Sequence, residues 1–279
     1  MGKSIWIQLI LLMTVSTAAI SQYHYLDIVS NLQLSSEMKQ FKEQKIRDIQ
    51  VHSFESNGEP SKGFFCKKKI SKDYRKIETY TKSTISEKSI LISKFNTEGQ
   101  LIASNDSSAI SSSSNFYQYD SKGHLSKVVN ISASMDDDFT SKITEEHLYF
   151  YNAKGHTSKM LRIKNHLDTT TVLFTSDEKG NIIDEKDLGK NGKHYYYYYD
   201  YKNRLTDVVK YNSLRDKLLP DLLFEYNFAN QVTQMISTEE GISNNYYIWK
   251  KIYNDGLRII EKCFSKENEL LGYFEFEYN

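Results

Sequence analysis

The stretch "YYYDYKNRL", residues 197–205, contains the pattern that decides the fold, because similar stretches recur along the chain. It returns as "YQYDSKGHL" at 117–125 and as "YFYNAKGHT" at 149–157. A residue that is usually Tyr, followed by Asp or Asn, marks eight such units, beginning at Phe95, Tyr119, Tyr151, Ser176, Tyr199, Tyr226, Tyr253 and Tyr278. Repetition at this period indicates an array of similar structural units.

The residue three places after each Asp or Asn indicates that the unit is a β-hairpin. It is Gly or Asn in six consecutive units, and these residues most readily accept a left-handed backbone. The Asp or Asn side chain can cap the backbone amides of the same turn. A shorter, tighter turn is predicted at Asn254-Asp255-Gly256. The predicted turn residues are Asp120, Gly123, Asn152, Gly155, Asp177, Gly180, Asp200, Asn203, Asn227, Asn230 and Gly256.

An all-β fold follows from these units and from the composition. The chain has 21 tyrosines and only two prolines, which favours strands joined by turns. We expect consecutive antiparallel hairpins over residues 46–279, forming one extended, twisted or curled sheet with the dipeptide tyrosines stacked in a ladder. After the turns, pairs such as Val128-Val129 break strict alternation. This indicates either a β-bulge or apolar cover on both faces.

The N-terminus resembles a secretory signal peptide over residues 1–21. Lys3 precedes the apolar run Ile5–Val15, and Ala19 and Ser21 stand where a cleavage site requires small residues. That run is too short to span a bilayer, and no later stretch is long enough. No Cys follows it, so we expect no lipid anchor. The predicted location is the periplasm or the outside of the cell, without a membrane span in the mature chain.

Three further features lie before the repeats or between them. The segment 22–45 is predicted to be partly helical, with a helix start at Ser35 and with Met38 and Phe41 on one side. Residues 53–65 are interpreted as a degenerate first unit. Cys66 and Cys263 could form a disulfide in an oxidising compartment, or remain separate buried thiols.

The pattern aromatic-x-Tyr-Asp-x-x-Gly-x-Leu resembles the YD-repeat, or Rhs, family, over roughly residues 93–279. Large members of that family wind such hairpins into a β-shell that can enclose a toxin. This chain is far shorter and is similar to the short exported forms without a toxin or core domain, often labelled as sugar-binding. With eight units we expect no closed shell. A MORN-like array, suggested by "IYNDGLRII" at 252–260, is the alternative.

Motifs for chemistry are scarce. The seven histidines lack metal-ligand spacing, and no Cys-x-x-Cys, P-loop or nucleophile elbow is present. In "MDDDF", residues 135–139, Asp136 and Asp138 could face a calcium ion, but the Gly and distal Glu of a calcium loop are missing. Net charge is zero, with lysines and acids interleaved, which argues against nucleic acid. We therefore expect no cofactor and no enzymatic activity.

The run "HYYYYYD", residues 194–200, supplies the candidate binding residues. Tyr195, Tyr197 and Tyr199 share the face of the repeat aromatics, whereas Tyr196 and Tyr198 point the other way. Candidate ligand-stacking residues are Tyr196, Tyr198, Tyr201 and Trp249. The predicted function is a non-catalytic binding or scaffold module whose sheet surface binds an unidentified protein or glycan. Alternatives are a carbohydrate-binding protein, a toxin-immunity or delivery protein, and an enzyme with a site built from distant residues.

Overall fold

A computed structural model of the chain describes residues 24–84, 88–134, 141–239 and 245–279. Within these residues it contains one helix, α1 (Tyr25–Glu43), and eighteen strands. The all-β prediction is thereby confirmed. The strands are β1 (Asp48–Glu55), β2 (Phe65–Ile70), β3 (Lys76–Lys82), β4 (Ser89–Phe95), β5 (Leu101–Ser107), β6 (Ser111–Tyr119), β7 (Leu125–Ser134), β8 (Lys142–Tyr151), β9 (Thr157–Lys164), β10 (Asp168–Ser176), β11 (Ile182–Asp187), β12 (His194–Tyr199), β13 (Leu205–Asn212), β14 (Lys217–Tyr226), β15 (Val232–Thr238), β16 (Tyr246–Asn254), β17 (Leu257–Phe264) and β18 (Leu270–Tyr278).

The sheet closes into a barrel. Each strand pairs antiparallel with the next one in the chain, and β1 also pairs with β18. The expected open, curled sheet with too few units to close is therefore wrong. The physical reason lies in β1, which supplies the second strand of the last unit: Ile49 lies opposite Tyr278, and the Asn279 carbonyl accepts the Asp48 amide at 2.8 Å. Closure leaves neither strand as an unpaired edge.

One mouth of the barrel, which we call the tight-turn rim, is formed by the repeat turns. In the turn after β6, Asp120 Oδ1 accepts the amides of Lys122 and His124 at 2.8 and 2.9 Å, and Gly123 has φ 83°. The same carboxylate or amide oxygen caps the fourth following amide at Asn152, Asp177, Asp200 and Asn227. The closing residues Gly155, Gly180, Asn203, Asn230 and Gly256 all have positive φ.

A β-bulge follows each of these turns, and it explains why the apolar residues after the turn do not alternate strictly. Tyr119 lies opposite Leu125, but Gln118 lies opposite Lys127, so one residue of β7 is extra. Val128 is consequently buried inside the barrel, whereas Val129 lies opposite Phe116 on the outer face. At Val128-Val129 the bulge alone explains the pattern, whereas Val208 and Val209 are both buried, the second on the outer face opposite Tyr196.

The dipeptide tyrosines form a hydrogen-bonded ladder around the tight-turn rim, which we call the tyrosine ladder. Tyr151 donates its hydroxyl to the Leu125 carbonyl of the preceding unit at 2.7 Å. Burial raises the pKa of Tyr151 to about 12, so it remains a donor at neutral pH. The ladder consists of hydrogen bonds to the backbone, and no ring stacking between tyrosines is needed to join the units. The other donors are Tyr119 to Leu101, Tyr199 to Ile182, Tyr226 to Leu205, Tyr253 to Val232 and Tyr278 to Arg258.

The first repeat unit lies between β2 and β3. Ser71 Oγ accepts the Arg75 and Lys76 amides at 3.2 and 3.0 Å, four and five residues on, where Asp120 accepts the amides two and four residues on. Tyr74 closes the turn at φ 55°, with the Arg47 guanidinium 3.7 Å from its ring centroid. Residues 53–65 instead run from β1 to β2 over the opposite mouth, so their interpretation as a first unit is wrong. Because Ser71 stands where the later units have Asp or Asn, and Tyr74 stands where they have Gly or Asn, the sequence pattern does not identify this unit.

Helix α1 lies inside the ring of strands, with its start against the end of β11 that leads to the opposite mouth and its C-terminal end at the tight-turn rim. It begins at Tyr25, ten residues before the predicted start at Ser35. Near its start, Asp27 contacts β8 through His147 at 2.5 Å. Just past its end, Gln44 donates to the Asp255 carbonyl in the β16–β17 turn at 2.8 Å. At 1.5 Å per residue the helix spans roughly 28 Å, which is long enough to connect distant parts of the barrel wall.

The barrel interior is packed in two apolar clusters. Met38 and Phe41 of α1 pack with one cluster, around β1 and its neighbours, and Leu26 and Ile28 pack against the other. Cys66 on β2 and Cys263 on β17 are both buried free thiols, with β1 and β18 between their strands. The possible disulfide between them is not formed. Burial raises the pKa of both thiols, that of Cys263 to about 12.

Candidate functional site

The two faces of β12 divide the tyrosine run. On the inner face, Tyr195 and Tyr197 are buried, and Tyr197 donates its hydroxyl to Glu185 at 2.7 Å. On the outer face, Tyr198 is 48% exposed. Its cross-strand partner on β13 is Asp207, whose short side chain leaves much of the ring uncovered. The inner tyrosines therefore build the wall, and the outer ones are available to a ligand.

Aromatic rings gather beside Tyr198 on the outer side of the wall. We call His194, Tyr196 and Tyr198 of β12, with Tyr211 of β13, the outer aromatic face. The His194 ring centroid lies 4.5 Å from that of Tyr196 and 6.4 Å from that of Tyr211. Side-chain packing thus joins two strands into one surface. Tyr211, which the sequence analysis missed, is an outward residue of the next strand, and alternation from Val208 onward would have found it.

Carboxylates hold this surface in place. Asp184 Oδ2 lies 2.6 Å from His194 Nε2, across the β11–β12 pair. The Tyr211 hydroxyl donates to Asp216 at 2.7 Å, which raises the pKa of Tyr211. The Tyr196 hydroxyl also lies 3.4 Å from His194 Nδ1. Three of the four rings are therefore held by hydrogen bonds, and a ligand would meet a preformed surface with carboxylate oxygens at its margins.

Tyr201 lies beyond the strand, at the tip of the β12–β13 turn, and is 84% exposed. Phe228 occupies the same position in the β14–β15 turn and is 98% exposed. The Lys202 ammonium lies 5.8 and 5.9 Å from the centroids of these two rings. Phe228 was missed by the sequence analysis, although aligning the turns places it directly beside Tyr201 in register.

Trp249 is not part of any exposed surface. It lies on β16 between Met235 and Cys263 and is only 4% exposed, so its ring has no free face for stacking. Its assignment as a ligand-stacking residue is therefore wrong. Trp249 belongs to the inward half of the alternation on β16, one residue after the outward Ile248 and one before the outward Lys250.

A second group of polar side chains lies inside the barrel at the start of α1. Glu185 accepts the backbone amides of His24 and Tyr25 at 2.7 and 2.9 Å. This carboxyl is nearly fully buried, and burial raises its pKa. It satisfies amides that no helical carbonyl can reach, and it thereby fixes the helix to β11. The side chain of His24, the N-cap residue of α1, makes no capping hydrogen bond of its own.

His147 completes this anchor from β8. Its Nδ1 lies 2.5 Å from Asp27 and its Nε2 2.9 Å from Glu145. Burial alone would lower the pKa of His147, but the charge of Asp27 and both hydrogen bonds raise it to about 9. The imidazolium is thus positively charged at neutral pH, with both nitrogens occupied. Such a group holds structure together and has no free nitrogen for acid–base catalysis.

Within the described ranges, no three His, Cys, Asp or Glu side chains are arranged to hold a metal ion. Asp136 and Asp138, considered for calcium from the sequence, lie outside the described residues. Among the described residues, no helix is long and apolar enough to cross a membrane.

No protein-family model matches the chain, and no curated protein matches it. Three similar solved structures are each 11% identical to it. A porin-like protein from Bacteroides uniformis aligns over 79% of this chain with TM-score 0.27, and TcdB2-TccC3 over 78% with TM-score 0.30. A porin-like protein from Bacteroides vulgatus aligns over 84% with TM-score 0.32. The chain spans 60%, 15% and 98% of these three chains. TM-scores of this size carry no argument about family or function.

Proposed function

We propose that the protein is an exported, non-catalytic binding module that uses the outer aromatic face and Tyr201 to hold its ligand. The observation that carries this proposal is Tyr198, a half-exposed aromatic residue at an outward position that the tyrosine ladder does not use. Aromatic rings on a rigid wall offer contact area at little entropic cost. The YD-repeat resemblance is part of the same proposal and is supported by the turn capping at Asp120 and its equivalents.

The outer face of the barrel wall carries charged side chains, which favours contact with water. Ion pairs stand on it in different parts of the ring, including Lys127 with Glu146 at 2.5 Å and Lys67 with Asp48 at 2.9 Å. Charged side chains at outward positions are costly against lipid, whereas in water they need no compensation. This supports a barrel that presents its wall to an aqueous compartment of the cell envelope or outside the cell.

Carbohydrate is a second candidate ligand, favoured by the carboxylates at the margins of the outer aromatic face. A sugar ring can stack on Tyr198 while its hydroxyls donate to Asp207, which lies directly opposite on β13. The pairing of an apolar ring face with a few placed polar groups is the usual composition of a small-ligand site. A protein ligand would need a larger contact area around the same rings.

The test compares the double variant Tyr196→Ala and Tyr198→Ala with the control Phe116→Ala, another exposed aromatic residue of the outer wall. Each protein is applied to a glycan array and, in parallel, used to capture partners from envelope extract. We expect the double variant to lose at least about tenfold in affinity, since aromatic anchors dominate such contacts. Unchanged binding in the double variant would refute the site. Glycan binding without a protein partner would select the carbohydrate alternative.

A further inference from the structure

Three consecutive connections at the mouth opposite the tight-turn rim each expose one leucine. They are Leu167 between β9 and β10, Leu188 between β11 and β12, and Leu214 between β13 and β14. Their side chains are 84%, 52% and 96% exposed. We call these residues the leucine arc. Neighbouring loops on one rim are two strand spacings apart, so successive leucines stand roughly 10 Å from each other along the wall.

Hydrogen bonds in these loops hold the backbone around the leucines. Around Leu167, Asn165 and His166 both have positive φ, and the Leu167 amide donates to the Lys164 carbonyl at 3.1 Å. After Leu188, the Gly189 amide donates to Asp187 Oδ1 at 2.8 Å. After Leu214, the Arg215 amide donates to Asn212 Oδ1 at 3.0 Å. The tips are therefore built turns that keep the leucines away from the barrel interior.

The same three loops, with the strand ends beside them, carry an excess of positive charge. There are five positive and three negative charges. The positive residues are Lys164, Lys190, Lys193, Arg215 and Lys217, and the negative ones are Asp168, Asp187 and Asp216. Asp187 faces inward, where Arg162 lies 3.3 Å from it, and Asp216 accepts the Tyr211 hydroxyl. The β17–β18 connection has the opposite balance, with Glu267 and Glu269 against Lys266. Exposed leucines and cations thus coincide on one side of the rim.

We propose that the leucine arc docks the barrel on an anionic lipid surface. The leucines would enter the boundary between headgroups and acyl chains, while the neighbouring lysines and Arg215 meet the anionic headgroups. Isolated aliphatic tips about 10 Å apart suit a hydrocarbon layer, which accepts each of them without a matching shape. A protein partner would need three separate pockets at that spacing.

This docking is independent of the proposed ligand surface. The outer aromatic face lies on the side of the wall, so a barrel standing on its loops would leave Tyr196 and Tyr198 accessible. Residues 135–140 of the β7–β8 connection, which include Asp136 to Asp138, lie outside the described residues. Ile110 between β5 and β6 is 71% exposed on the same rim and extends the row of apolar tips beyond it.

Vesicle flotation tests the proposal with the purified chain. The triple variant L167S, L188S and L214S is compared with L32S, I102S and I252S, which removes three exposed aliphatic side chains from the tight-turn half. Vesicles contain phosphatidylcholine with or without phosphatidylglycerol. We expect the wild type and the control to float with the anionic vesicles, and the leucine variant to lose at least about tenfold in bound fraction. Circular dichroism confirms that all variants are folded.

A charge variant gives a second, separate arm. K190E with R215E leaves the leucines in place but reverses two loop charges, which changes the balance of the three loops from +2 to −2. We expect weaker flotation than the wild type, and added salt should weaken only the flotation of the wild type. The proposal is overturned if the wild type binds neither kind of vesicle, or if the leucine variant and the control bind equally. It is also overturned if the leucine variant changes only self-association in sedimentation, because a second copy of the chain would then cover the arc.

Discussion

Tyr197 and Tyr198 are neighbours in the chain, yet one is 2% and the other 48% exposed. Tyr197 faces the interior, donates to Glu185 and packs edge-on against Tyr25 of α1, with ring centroids 5.1 Å apart. Tyr198 faces solvent beside Asp207. The difference arises from closure, because only a closed wall gives alternate residues of every strand an inside and an outside. The inner residues maintain the barrel, and the outer ones are free to serve a ligand.

The largest expected effect separates these two neighbours. Tyr197→Ala removes a buried ring and one of the three hydrogen-bond donors to Glu185, so we expect a loss of about 3–5 kcal/mol in the free energy of unfolding. Tyr198→Ala should change it by less than about 0.5 kcal/mol, as surface substitutions usually do. Urea denaturation followed by circular dichroism measures both. Similar losses for the two variants would contradict the division between inner and outer residues.

Glu185 and Asp184 offer the same comparison on β11. Glu185→Ala leaves the buried amides of His24 and Tyr25 and the Tyr197 hydroxyl without their acceptor, and we expect a loss of about 3 kcal/mol. The control Asp184→Ala removes an outward carboxylate and should cost less than about 1 kcal/mol. Hydrogen exchange of the α1 amides gives a second measurement. Protection of α1 that survives Glu185→Ala would show that the helix is held by other contacts.

The pH dependence of stability tests the interior ion pair. His147 has its pKa raised to about 9 in the folded chain, against about 6.5 when unfolded. Its contribution is therefore fully present below pH 6.5 and is lost as the pH rises towards 9, by an amount on the order of 2 kcal/mol. Unfolding free energies at pH 6.5 and 8.5 measure this decline. His147→Gln should flatten it and His194→Gln, on the outer face, should not; a decline unaffected by either change would contradict the assignment.

The smallest expected effect concerns the tyrosine ladder. Tyr151→Phe keeps the ring but removes the donor to the Leu125 carbonyl, so a loss of about 1 kcal/mol is expected. Tyr196→Phe, which lacks a backbone acceptor of this kind, serves as the control. Both variants are compared by thermal unfolding. Equal stability of the two would show that the hydroxyl ladder contributes nothing beyond ring packing.

The repeat turns were predictable because their chemistry is local. Asp120 caps amides only two and four residues away, and Gly123 is needed at its own φ, so both signals stand within five letters of sequence. The inward and outward tyrosines of β12 followed from simple alternation. Ser71 and Tyr74 form an equivalent turn with other residue types, and local patterns therefore missed it.

What the sequence could not reveal depends on contacts between distant residues. The start of α1 is capped by Glu185, 161 residues from His24, and no residue near Tyr25 announces it. Closure depends on the pairing of β1 with β18, which are the first and last strands of the chain. The exposure of the candidate site residues also depends on contacts between distant strands. Trp249 and Tyr198 are both aromatic strand residues, and only the assembled wall distinguishes the buried ring from the exposed one.

The most direct test of the account is a cross-link across the seam that closes the wall. Gln50 on β1 and Glu277 on β18 lie directly opposite each other at outward positions. The variant Q50C with E277C should form a disulfide within one chain under mild oxidation, detected by non-reducing electrophoresis and mass spectrometry. The control Q50C with E225C, on β14, should not. A chain in which Q50C and E277C form only intermolecular disulfides, or none, would contradict a closed barrel and with it the inner and outer roles of the tyrosines.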